Sequence, residues 1–153
     1  MPVPPADVSL VVDFLNTLDV ERDTDALADA LTWGRWAADR GLEPGSLDGA
    51  RHAREVLRHA VGDPVATESP LSVPARIELT GTGPALVSPD AVGAVLAAAT
   101  RIAVLGDWER LKICPADDCR WAFFDRSRNR SRTWCSMRVC GNREKARAWR
   151  ERQ

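Results

Sequence analysis

With 153 residues, 44% of them apolar and 28% charged, the chain has a globular composition with room for one core, or for one domain and a small satellite. No run approaches the roughly 18 consecutive apolar residues of a membrane span, and MPVPPADVSL lacks the basic and long apolar regions of a signal peptide, so a cytoplasmic protein is expected. The net charge of −1 conceals a step: residues 1–109 hold 8 Lys/Arg against 17 Asp/Glu, a net −9, and residues 110–153 hold 13 against 5, a net +8.

Arg outnumbers Lys by 19 to 2, but a bias acting on the whole chain cannot create such a step. Residue 109 is therefore read as the boundary between a domain over 1–109 and a basic module over 110–153.

In DVSLVVDFLNTL, residues 7–18, Val8, Val11, Val12, Leu15 and Leu18 recur at helical spacing behind Asp7, the expected N-cap. A strand over SLVVDFL is the alternative. Thr24 is expected to cap a second helix through Leu27, Ala30, Leu31, Trp33 and Trp36, closed by Gly41. Residues 46–61 predict a third helix, and the three prolines within 62–74 predict a loop. ARIELTGTGPALVS alternates apolar and polar residues around Gly81-Thr82-Gly83 and predicts a β-hairpin. Ser88 followed by Pro89 then predicts a capped helix with a stripe through Val92, Val95, Leu96, Ala99 and Ile102, ending near Gly106.

All four cysteines fall within 27 residues, as two C-x4-C pairs separated by 15 residues. In a reducing compartment such a cluster favours a metal over disulfides. Zinc takes four thiolates in a tetrahedron, so Cys114, Cys119, Cys135 and Cys140 are the expected Zn2+ ligands. Two disulfides, or an iron–sulfur cluster on the same thiolates, are the alternatives. CPADDC has the composition of a turn, RWAFFD that of a strand, and the second pair sits at the start of a final basic helix. Turn, hairpin and then ligands at a helix start is a treble-clef-like arrangement.

C-P-x3-C followed by FFDRSRNRSRTWCSMRVCGNREKARAWRER resembles the CGNR zinc finger, named for the tetrapeptide present here as Cys140-Gly141-Asn142-Arg143. The stretch from DFLNTLD through Asp25, Leu27 and Trp36 to Gly41-Leu42 resembles the ABATE domain that usually precedes this finger. The resemblance implies a transcription regulator induced by stress. The fold expected is α+β and mostly helical: an α-rich N-terminal domain with a β-hairpin, then a treble-clef-like zinc finger.

Arg126, Arg128, Arg130 and Arg132 alternate, so an extended backbone would project them to one side. Arg143, Arg147 and Arg150 share one face of the last helix. A four-thiolate zinc site carries a formal −2, which still leaves a surplus of +6 on the module, a footprint suited to phosphates. Arg128, Arg130, Arg143, Arg147 and Arg150 are thus the expected DNA contacts. The bland reading is a basic module docked on the acidic first domain. Trp134, Trp149, Phe123 and Phe124 are expected to pack around the zinc knuckle. Asp13, Asn16 and Thr17 either cap neighbouring structure or line a small-molecule pocket.

His52 and His59 have no acidic or thiol motif around them and are not expected to be ligands. Four cysteines leave zinc no open position, and deaminase, G-x-S-x-G and phosphate-loop motifs are absent, so no enzyme is expected. The reading is a DNA-binding regulator whose first domain, expected to fold alone, senses a small-molecule effector or mediates homodimer assembly, with no membrane partner. Its rival is a non-catalytic protein- or RNA-interaction module.

Overall fold

The computed structural model describes residues 1–153 and has five α-helices and three two-stranded antiparallel sheets. In chain order these are α1 (Pro5–Leu15), β1 (Leu18–Asp19), β2 (Thr24–Asp25), α2 (Ala30–Ala38), α3 (Leu47–Ala60), β3 (Arg76–Thr80), β4 (Gly83–Val87), α4 (Ala91–Val104), β5 (Leu111–Ile113), β6 (Ala122–Phe124) and α5 (Asn142–Arg150). The α+β, mostly helical architecture matches the expectation, including the hairpin β3–β4.

Several helix starts differ from the sequence reading, each for a local reason. Pro5 opens α1, with its missing N–H harmless in the first turn. Asp7 is therefore inside the helix and not its cap, and its carboxylate takes two hydrogen bonds from Arg101 of α4, at 2.8 and 2.6 Å. Thr24 caps no helix, because Thr24 and Asp25 pair with Leu18 and Asp19. Asp25 accepts from the Leu27 N–H and from both ends of the Arg54 guanidinium. The helix waits for Asp29, whose carboxylate accepts from the Thr32 N–H at 2.9 Å. Likewise Asp90, and not Ser88, caps α4 by accepting from the Gly93 N–H at 2.9 Å. Gly41 behaves as read, leaving α2 at a φ of +66°, whereas Ser46, expected as the first residue of the third helix, is its N-cap, with its hydroxyl accepting from the Gly49 N–H.

The charge step at residue 109 is not a packing boundary. α1 lies against α4, with Val11, Phe14 and Leu15 buried beside Val95, Ala98 and Ile102. Leu111, Ile113 and Ala122 from β5 and β6 complete the same core. Polar groups tie the seam as well. Asn16 ends α1 and uses its side-chain amide like a short strand, donating to the Ala122 carbonyl at 2.9 Å and accepting the Ala122 N–H at 2.8 Å. Arg58, only 1% exposed, donates to Asp63 at 2.6 Å, to the Leu15 carbonyl at 2.8 Å and to the Arg120 carbonyl at 2.7 Å.

This bears on the expectation that residues 1–109 fold alone. Burying a Leu or Ile side chain contributes about 1.5–3 kcal/mol, and the truncation removes Leu111 and Ile113 together with both partners of the Asn16 amide. Amide exchange in α1 should be markedly faster in a 1–109 fragment than in a 1–125 fragment. Equal protection in the two fragments would show that β5 and β6 are dispensable for the core.

Candidate metal centre

β5 carries the chain out of the shared core and into a tight turn. The Cys114 N–H donates to the Trp121 carbonyl at 2.8 Å, and the Cys119 and Arg120 N–H groups both donate to Ala116, at 2.9 and 3.0 Å. The turn closes with Arg120 at a φ of +50°. Cys114 and Cys119 therefore lie in the loop of the β5–β6 hairpin, so the hairpin encloses the first pair and does not follow it. From the other side, Met137–Gly141 form a π-helical turn that runs directly into α5. The Ser136 hydroxyl caps this turn by accepting from Val139, which sets Cys140 facing Cys135.

All four Sγ atoms lie within 4.8 Å of one another. Cys135 is 3.6 Å from both Cys119 and Cys140. A tetrahedron with metal–sulfur bonds of about 2.3 Å has edges of roughly 3.8 Å, whereas a disulfide requires about 2.05 Å. All four thiols are free, so the disulfide alternative is not what the chain adopts. Cys114, Cys119 and Cys140 are buried and Cys135 is half-buried.

Burial would push the Cys114 thiol up, but hydrogen bonds from the backbone at Cys135 and Ala116 outweigh it and hold it below its ordinary value. Burial, together with neighbouring sulfurs, pushes Cys119 up to about 12 and raises Cys135 as well. One thiolate is favoured and its neighbours then resist ionising. Four adjacent, largely buried sulfurs, touched by one guanidinium at Cys140, are a donor set that a soft dication completes.

The residues between the cysteine pairs hold the second pair in place. Asp125 is fully buried. Its carboxylate accepts from Lys112 at 2.7 Å and from the N–H groups of Ser127 and Arg132 at 2.8 and 2.9 Å. Lys112 also donates to the Arg130 and Arg132 carbonyls. Arg132 lies over the Phe123 ring, 4.8 Å from its centroid, and its guanidinium donates to the carbonyls of Trp134 and Cys135. Gly141 is needed for close approach: a Cβ there would lie 2.9 Å from Met137 Sδ and 3.2 Å from Trp134 Cδ1. Asn142 donates to the Arg138 carbonyl at 3.2 Å, and Arg143 reaches Cys140 Sγ at 3.4 Å. Reasoning from residue types missed this scaffold, although Asp125 is the one acid between Asp118 and Glu144, a signal in itself.

Comparison with known families agrees with this anatomy. The CGNR zinc finger model matches residues 110–153. The ABATE model, described as "Putative stress-induced transcription regulator", matches residues 9–125, more than half of the chain. The chain belongs to the ABATE family. No curated protein matches it. The ABATE match runs past residue 109 and overlaps the finger over 110–125, the stretch whose two strands pack into the shared core. Both models describe regulators and zinc fingers rather than enzymes, and no helix of this ABATE chain is long and apolar enough to cross a membrane.

The five arginines assigned to DNA occupy different settings. Arg126–Arg132 are not extended: Arg130 sits at a φ of +52° and pairs with Asp107 and Glu109. Arg126 lies over Phe124, and Arg132 is spent on the scaffold. Arg143 pairs with Glu21 and Asp118, both at 3.3 Å, and Arg147 with Glu144 at 3.0 Å and Asp118 at 3.9 Å. Arg128 and Arg150 are exposed and make no ion pair, as are Arg138, Lys145 and Arg152. Phe123 and Trp134 pack on the cysteine cluster as expected, whereas Phe124 packs against the main core and Trp149 is 59% exposed. α5 buries no residue, so most of that ring faces solvent.

Asp13, Asn16 and Thr17 line one open cleft of about 510 Å³, together with Arg22, Arg40 and Trp121. All three also have structural work. Asp13 pairs with Arg40, and Thr17 donates to the Phe14 carbonyl while accepting from Arg54. His52 and His59 bond to Ser69 and to the Ala66 carbonyl, away from the cysteines.

Proposed function

We propose that this ABATE chain is a DNA-binding regulator whose finger is organised by one Zn2+ held by Cys114, Cys119, Cys135 and Cys140. When bound, the ion supplies structure and not reactivity, since a closed set of thiolates leaves it no position for substrate. It joins the β5–β6 loop to the start of α5, and so orients a helix that the shared core does not touch.

The observation that carries the DNA reading is the set of unpaired cations on an otherwise unpacked α5 and its approach: Arg128, Arg138, Lys145, Arg150 and Arg152. Guanidinium groups bind phosphate through two parallel hydrogen bonds and keep their charge at any working pH. Arg130, Arg143 and Arg147 remain in the proposed contact set, but each must exchange a carboxylate for a phosphate. The acids Glu21 and Asp118 would thus moderate affinity. The cleft beside Asp13, Asn16 and Thr17 borders Trp121 of the finger, which makes it the place where a small polar effector would touch both parts.

Neutralising about four to six phosphates gives a slope of roughly −4 to −5 for log affinity against log salt. Changing Arg128 and Arg150 together to Ala should reduce that slope by about two with zinc content unchanged. Fluorescence anisotropy on a duplex measures both. A second reading is favoured by the three exposed apolar side chains Met137, Val139 and Trp149, which would suit a protein partner. A flat salt response would leave that reading standing.

A further inference from the structure

The hairpin β3–β4 carries an exposed edge that the DNA-binding reading does not use. β4 faces α4, where Leu86 and Val87 line an apolar cavity of about 540 Å³ with Leu96, Ala97 and Trp108. β3 is therefore the outer strand, and all five of its residues are exposed. Ile77 is 71% and Leu79 is 85% exposed, among the most exposed large apolar residues of the molecule.

The direction of the free backbone groups follows from one residue. Leu79 is opposite Pro84, and Ile77 is opposite Leu86. Pro84 has no N–H, so the Leu79–Pro84 pair is a non-hydrogen-bonded one. Hydrogen-bonded and non-hydrogen-bonded pairs alternate along an antiparallel ladder, so the Ile77–Leu86 pair is also non-hydrogen-bonded. The N–H and C=O groups of Ile77 and Leu79 hence point away from β4, and they make no backbone hydrogen bond outside the hairpin. Edge strands are protected by charged side chains, Lys above all, by Pro or by a bulge. β3 carries one charge of each sign, Arg76 and Glu78, so it repels only a partner strand of mismatched charge. RIELT has no Lys or Pro, and its pairing with β4 runs without a bulge.

We propose that this edge pairs with the same strand of a second copy of the chain, antiparallel about Ile77, giving a four-stranded sheet in the order β4-β3-β3-β4. Charge selects both the partner and the register. With Ile77 opposite Ile77 of the second copy, Arg76 lies opposite the second copy's Glu78, and the reverse, so two opposite-charge pairs form. A slip of one pairing in either direction sets Arg76 against Arg76, or Glu78 against Glu78, and like charges directly opposite are destabilising. The same register sets Leu79 against Ala75 of the second copy, on the apolar side. Arg76 and Glu78 already share one side of the strand, where they pair at 2.7 Å while 72% and 46% exposed.

The test is sedimentation of the zinc-loaded full chain and of charge variants whose exposed positions leave folding intact, checked by circular dichroism. The parent should sediment as a species of twice the 16.8 kDa chain mass. Arg76→Glu or Glu78→Arg alone should weaken the dimer at least about tenfold, because each turns two attractive pairs into repulsive ones. The double variant Arg76→Glu/Glu78→Arg should restore it, and Leu79→Lys should abolish it. A parent that stays monomeric at every concentration reached overturns the proposal. So does a dimer indifferent to Leu79→Lys, or a charge swap that fails to rescue the single variants.

Discussion

Replacing Cys135 by Ser is expected to unfold the first cysteine turn and the stretch from the end of β6 to the end of α5, while α1–α4 stay folded. Cys135 is the sulfur in contact with two others, at 3.6 Å each. The satellite core around it consists of Cys114, Ala116, Cys119, Phe123 and Cys140. Three of those five are themselves ligand candidates, so little apolar packing remains once the metal is lost. Metal binding supplies about 10 kcal/mol or more of folding free energy in such modules, far beyond what Phe123 and Ala116 can replace. β5 and β6 should survive, because Leu111, Ile113 and Ala122 belong to the main core. Amide exchange mapped along the chain checks this. Retained protection in α5 of the variant would mean that the metal is not what holds the finger.

Asp63→Asn is expected to cost about 3–5 kcal/mol, measured by urea denaturation, because it leaves a buried cation without its countercharge. Asp63 is 2% exposed and accepts from Arg58 at 2.6 Å and from Arg120 at 3.0 and 2.8 Å. It thereby ties α3 to the cysteine turn. Burial pushes the Asp63 carboxyl up, but hydrogen bonds from Arg120 and the charge of Arg58 outweigh it and hold it below the usual range. Burial acts the same way on Asp125, and there Lys112, Ser127 and Arg132 hold the carboxyl far below that range. A folded-state pKa below the unfolded one gives stability that is fully present above about pH 4 and lost as pH falls through the folded value. The parent should therefore lose stability steeply with acid, and Asp63→Asn should show a shallower acid slope.

These two sites also mark where sequence reasoning reached and where it stopped. The four cysteines, the hairpin around Gly81-Thr82 and the third helix were legible because each signal is local. Spacing alone identifies the cysteine set, and alternation with Gly identifies the turn. Thr24 and Ser88 were plausible caps that lost to Asp29 and Asp90. At the first of these, a carboxylate committed to Arg54, 29 positions away, delays the helix, and no local pattern carries such a contact. The arginine alternation failed for a related reason, since Asp125 and Lys112 fold that stretch into a loop from within. The charge step at residue 109 is real as composition, yet Asn16 and Arg58 reach across it. Charge belongs to the surface and packing to the core, and here their borders fall at different residues.

In the proposed finger, four thiolates hold one zinc and thereby build the module. X-ray absorption at the zinc edge, on the purified full chain with its metal content counted, tests it most directly. The expected result is one zinc per chain surrounded by four sulfur scatterers at about 2.3 Å. A first shell containing nitrogen or oxygen, iron in place of zinc, or a chain without stoichiometric metal would contradict it.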